Sequence, residues 1–173
     1  MSKSFLLKTY QFSSHIKVHI MTSKVVSTIP FFGKYIALFL DRFLFILYGI
    51  ELESRSINIK HLHIPHPGGI LLGGNGIKSN GHVAIMAGVK FVAKSPNDSN
   101  YLYKQRKGKV FELGSKVFIG ANSTIIGPVK ICSNVVIGAM SLVNKDILKP
   151  GVYVGIPAQR ILSSHNESWF DNL

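Results

Sequence analysis

The sequence predicts a mainly β protein: a coiled parallel β-solenoid, preceded by α-helices and interrupted by one ejected loop. Three observations carry this. Leu113, Ile119, Ile125, Ile131, Ile137 and Val143 stand at strict intervals of six, a period too long for one helical turn and too regular for ordinary strands. Val117, Ser123, Val129, Val135 and Ser141 form a second set four places on, all small or β-branched. Glycine follows the aliphatic residue at Gly114, Gly120 and Gly138, where a corner is expected to need backbone angles closed to other residues. Each six-residue unit then supplies a short strand and a corner. The aliphatic residue fills the axis and the small one fits where the triangular section narrows. A β-sandwich fits less well, because its strands recur at about 8 to 12 residues.

The elements follow in order. Residues 5–29 carry Leu6, Leu7, Tyr10, Ile16, Ile20, Val25 and Val26 without a clean period and are assigned to helix. Pro30 suits the first turn of a second helix, in which Ile36, Leu40, Phe43, Leu44 and Leu47 keep helical spacing until Gly49. These helices cap the solenoid and either pack as core or present an apolar, basic surface to a trimer contact or a membrane face. From Ile50 the texture is strand-like, through Ile57, Ile59, Leu62 and Ile64, then Ile70 to Leu72, Val83 to Ile85 and Val89 to Val92. Residues 94–109 are polar and turn-prone and break the repeat before Leu113. They form the ejected loop, either a solvated excursion or part of a binding surface. The division is a helical segment 1–49, a solenoid 50–162 and a C-terminal tail 163–173.

Composition narrows the function. With 46% hydrophobic residues in 173, the chain can bury one core. The single cysteine, Cys132, excludes an intramolecular disulfide, and no secretory n-region, h-region and cleavage site appear in order, so a cytoplasmic protein is expected. The longest apolar stretch, Tyr35 to Ile50, is broken by Asp41 and Arg42, leaving about 8 uninterrupted residues where a span needs about 20. A net charge of +12 favours polyanions, an anionic cofactor or a membrane surface, with peripheral contact at the inner face of the cytoplasmic membrane as one expectation. No nucleic-acid signature accompanies the charge. No Cys or His cluster has metal-ligand spacing, so no metal is expected.

The run Ile64-Pro65-His66-Pro67-Gly68-Gly69-Ile70, the repeats after it and the ending Val154-Gly155-Ile156-Pro157-Ala158-Gln159-Arg160 resemble the serine acetyltransferase branch of hexapeptide-repeat acyltransferases. Within it they are most similar to the saccharide O-acetyltransferases of surface-polysaccharide pathways, which share the Pro-His-Pro-x-Gly-Ile pattern. The resemblance covers roughly residues 35–162. It implies a left-handed β-helix, a homotrimer and acetyl-CoA bound between neighbouring subunits. The general rule for β-crossovers is right-handed, so the handedness comes from the resemblance alone.

The resemblance places His66 as the catalytic histidine. A neutral imidazole near its own pKa suits removal of an alcohol proton, which makes the oxygen able to attack a thioester carbonyl directly. Glu51 lies fifteen residues earlier, at the position of the family's acidic partner, where a carboxylate would orient the ring and stabilise the imidazolium. For acetyl-CoA the motif positions imply Ala121 and Ala139, with Lys145 and Arg160 toward the phosphates, although Gln159 stands where a basic residue usually does. Departures from the pattern point away from serine as acceptor: Pro65 replaces the Asp expected before the histidine, and Gln105 to Phe111 holds no second histidine. The expected acceptor is therefore a saccharide hydroxyl of capsule, lipopolysaccharide or exopolysaccharide, with Tyr101 and Tyr103 offering aromatic faces to the ring or merely packing the loop base. Serine O-acetylation is the alternative, and a non-catalytic scaffold or membrane-docking module a third.

Overall fold

A computed structural model of the protein describes residues 12–73, 76–95 and 97–162. The expected positions Leu6, Leu7 and Tyr10 and the tail 163–173 lie outside these. Among the described residues two helices precede the strands, α1 (Phe12–Val26) and α2 (Gly33–Tyr48). Pro30 belongs to the connecting turn instead of the first turn of α2, which starts three residues later. The buried stripe of α2 also differs from the one expected. Gly33, Ala37, Asp41 and Leu44 turn inward, whereas Ile36, Phe43 and Leu47 remain exposed. Small residues win that face because the approach is close: a Cβ on Gly33 would meet the Val26 carbonyl oxygen at 2.3 Å. Asp41 is tolerated there because both carboxylate oxygens accept from Ser54, Oδ2 from its N–H at 2.9 Å and Oδ1 from its Oγ at 2.5 Å. The helix stops at Gly49, whose φ of 63° lets its N–H return to the Phe45 carbonyl.

Among the described residues, twelve short strands then wind into a left-handed parallel β-helix. One face stacks β1 (Ile50–Leu52), β3 (Ile70–Leu72), β5 (Lys90–Ala93), β8 (Thr124–Gly127) and β11 (Leu142–Val143). The other two faces merge into one sheet because β2 (Ile57–His63) and β4 (Ile77–Ile85) bend round a corner. The first halves of these strands lead to β6 (Phe111–Leu113) and β9 (Val129–Ile131), and the second halves to β7 (Val117–Ile119), β10 (Val135–Ile137) and β12 (Gly151–Val154). Finally β13 (Gln159–Leu162) folds back antiparallel on β12.

The hexapeptide reading holds residue by residue. All six aliphatic positions from Leu113 to Val143 are buried, as are Val117, Ser123, Val129, Val135 and Ser141. Burying each of the larger side chains contributes about 1.5–3 kcal/mol. The inward serines are satisfied along the column: Ser123 Oγ donates to the Gly138 carbonyl at 2.8 Å and accepts from the Ser141 N–H at 3.3 Å. The glycines differ from expectation. None of Gly114, Gly120 and Gly138 has positive φ; left-handed backbone occurs instead at Lys116, Asn122, Asn134 and Met140, two residues after Gly114, Gly120, Cys132 and Gly138. What those glycines provide is room, since a Cβ on Gly120 would lie 2.5 Å from the Ala139 nitrogen of the next coil.

Successive coils are offset by 18 residues where Val117 meets Val135, but by 34 where Val83 meets Val117. The difference of 16 is the length of segment 94–109. That segment is not loop throughout: Asp98 accepts from the Tyr101 N–H and starts α3 (Ser99–Arg106).

Candidate active site

His66 stands in the corner between β2 and β3, its side chain exposed. Prolines on both sides restrict the backbone. The corner then passes through Gly68 and Gly69, with φ of 143° and 63°, values that strain any L side chain. The Gly68 carbonyl accepts from the Gly88 N–H at 2.8 Å, tying the corner to the next coil. Lys90 is exposed one coil on and donates from Nζ to the Gly88 carbonyl at 3.2 Å. A cation is thus held at the level next to the histidine, a feature that residue spacing did not single out.

Three further imidazoles lead to this corner along β2 and β4. His61 and His82 sit opposite each other in register and stack with ring centroids 4.4 Å apart. Desolvation, then His82, Lys60 and Lys17, holds His61 below the usual histidine range. His63 is half-buried, and burial, followed by the Lys17 and His66 charges, lowers its pKa as well. Among the described residues no group of three or more His, Cys, Asp or Glu could hold a metal ion.

Glu51 is exposed on β1, in register with Leu71, and lines a concavity under α2 with Asp41, Arg42 and Glu53. No hydrogen bond joins it to His66 among the described residues. Ala121 and Ala139 occupy the same level of consecutive coils, joined where the Met140 N–H donates to the Ala121 carbonyl at 2.9 Å. Lys145 is exposed beside Pro157, Ala158 and Gln159. Arg160 is drawn off from that group: its Nε and Nη2 donate to the Pro150 carbonyl at 2.8 and 2.5 Å, because β13 doubles back over that turn. Tyr101 is 4% exposed and packs in the core. Tyr103 is open, with Lys107 Nζ 4.5 Å above its ring and donating to its hydroxyl.

Residues 112–145 match the family model described as bacterial transferase hexapeptide (six repeats). Over 66 residues this hexapeptide-repeat chain is 41% identical to a putative acetyltransferase, YvoF, of Bacillus subtilis (strain 168), covering 38% of the chain and 37% of that protein. Its fold matches the crystal structure of Neisseria gonorrhoeae serine acetyltransferase (CysE) with a TM-score of 0.75 and 23% identity, over 92% of this chain and 58% of that one. A serine acetyltransferase in complex with CoA matches with a TM-score of 0.60 and 23% identity, over 74% and 49% of the two chains. The hexapeptide-repeat chain thus spans less than two thirds of each of these proteins.

These neighbours correct the saccharide expectation. Serine acetyltransferase structures match over 83–92% of this chain.

Proposed function

We propose that this protein is an acetyl-CoA-dependent O-acetyltransferase acting on L-serine, with His66 as general base. The observation that carries the reading is the exposed imidazole of His66, fixed by Pro65, Pro67 and the Gly68–Gly88 bond in a corner of a hexapeptide-repeat coil. His66 takes the hydroxyl proton, the oxygen bonds to the thioester carbonyl carbon, and the carbon–sulfur bond breaks. The imidazolium then returns its proton to the leaving thiolate, so no acyl-enzyme forms. The serine carboxylate needs a cation, and Lys90, held at the adjacent level of the corner, is assigned that contact. Glu51 lies one coil away and acts on the imidazolium through space, not as a hydrogen-bond partner. Acetyl-CoA lies along the backbone at Ala121 and Ala139 with Lys145 toward its phosphates, in a cleft completed by a second subunit of a trimer. The test is thiol release from acetyl-CoA by the purified protein with and without L-serine. Acceleration by serine that falls about 10²-fold or more in His66→Ala supports the proposal. No acceleration removes serine, and full activity in His66→Ala removes the base.

A further inference from the structure

The α1–α2 hairpin carries an apolar surface that the coil leaves uncovered. Because α2 buries only the stripe from Gly33 to Leu44, its outer side stays open at Tyr35, Phe39 and Ile46, and the turn before it at Phe31 and Phe32, with Phe31 91% and Ile46 76% exposed. Single exposed hydrophobes are ordinary, but a contiguous run along a whole helix marks a surface that meets something. Phe31 adds a second observation. Its φ is 65°, left-handed backbone that a bulky residue adopts only at a cost, and the result is an aromatic ring held out at the hairpin tip.

The charge around this surface has one sign. In sequence, residues 1–40 contain Lys3, Lys8, Lys17, Lys24 and Lys34 and no Asp or Glu; of the described ones, Lys24 donates to the Ile57 carbonyl and to Asn58 Oδ1 and Lys17 lines a concavity with His61 and His63, so Lys34 is the cation left exposed on α2. The one acid of α2, Asp41, is buried against Ser54. Glu51 and Glu53 face the concavity on the Leu38 and Phe45 side of the helix, around from Phe39 and Phe43. We infer that the hairpin docks on an anionic phospholipid surface, with Phe31, Phe32, Phe39 and Ile46 entering the boundary of headgroups and acyl chains and Lys34 meeting lipid phosphates. A 16-residue helix falls short of the roughly 20 residues that cross a bilayer, and among the described residues no helix is long and apolar enough to do so. A second copy fits the face less well. Another hairpin would oppose lysines to lysines, and residues 41–173 are themselves basic: 20 Lys and Arg less those five leaves 15, against 8 acids.

This inference is independent of acyl transfer, and vesicle flotation of the full chain tests it. The protein is expected to float with phosphatidylcholine vesicles containing phosphatidylglycerol, to float far less with phosphatidylcholine alone, and to be released by added salt. Combined Phe31→Ser, Phe32→Ser and Phe39→Ser should lower partitioning about tenfold or more with the far-ultraviolet circular dichroism unchanged. Lys34→Glu should lower it roughly fivefold or more, and carries the test alone if the triple variant misfolds. Wild-type protein that stays down with anionic vesicles, or variants that float like wild type, would overturn the inference. So would a triple variant that breaks up an assembly seen by light scattering while its vesicle binding is untouched, because the face would then be a self-interface.

Discussion

Gly120→Ala isolates what holds the coils at their spacing. The added methyl would sit 2.5 Å from the Ala139 nitrogen and 2.8 Å from both the Gly138 carbonyl carbon and the Ile137 oxygen. All three are backbone atoms, so no side chain can rotate aside. Relief needs a shift of about 1 Å to reach an ordinary contact distance, and that shift falls on the bond from the Gly120 N–H to the Ile137 carbonyl, now 2.8 Å, and on the Met140 to Ala121 bond above it. Overpacking costs about 1–3 kcal/mol and a weakened hydrogen bond about 1 more, giving roughly 2–4 kcal/mol in all. For a domain of this size that lowers Tm by about 4–16 °C. Gly108 is the control: a Cβ there meets nothing within 4 Å, but φ is +61°. Gly108→Ala should cost about 1–2 kcal/mol, and Gly108→Asn should recover part of it because asparagine tolerates left-handed backbone. Gly120→Asn should recover nothing. Thermal unfolding by circular dichroism reads all four variants, and a Gly120→Ala protein within about 0.5 kcal/mol of wild type would refute the spacing argument.

Two further outcomes follow from the site. Lys90→Ala should raise KM for L-serine roughly tenfold with kcat little changed, as expected for a lost charge-assisted contact; steady-state kinetics check it, and a fall confined to kcat would take Lys90 out of acceptor binding. His63 has a folded pKa below its ordinary 6.5, so the unfolded chain takes up its proton first as pH falls. Stability that is full above about 6.5 should therefore decline below it, and His63→Gln should flatten that decline in melts across the range; an identical pH slope in the variant would show that His63 contributes nothing to it.

How much of this was legible in the residues depended on the depth of the core. From Leu113 onward the coils close every 18 residues and the axis demands an aliphatic side chain at each turn, so the period of six is written plainly. The earlier coils pair at offsets of 20, 19 and 21, with a register shift between Ile59 and His61. Nothing in the sequence fixes such offsets, which is why the stack of His61 on His82 was invisible in it. The stripe of α2 was misjudged for a related reason: side-chain hydrophobicity marks what can be buried, while the close approach to Val26 selects Gly33 and Ala37. Segment 94–109 held an unheeded signal in Asp98, a helix N-cap three residues before Tyr101. His66 stands out through its Pro-His-Pro frame, whereas the saccharide acceptor was inferred from missing family residues, and the serine acetyltransferase neighbours overturn that inference.

The position of His66 follows from the rest of the coil. Gly49, Gly69, Gly88, Asn122 and Met140 stack level upon level at one corner, with φ of 63°, 63°, 71°, 58° and 61°. A turn repeated through five levels leaves little freedom at any one, because each is pinned by the hydrogen bonds of its neighbours, as Gly88 is to Gly68 and Asn122 is to Ala87. His66 leads into the second level, with its flanking prolines removing conformations that the unfolded chain would otherwise sample. Catalysis by a general base tolerates little misplacement of the accepting nitrogen. If His66 is the base, as proposed, a solenoid corner meets that demand without a dedicated loop: the order at His66 derives from stacked turns that extend well beyond the corner, while its ring is exposed.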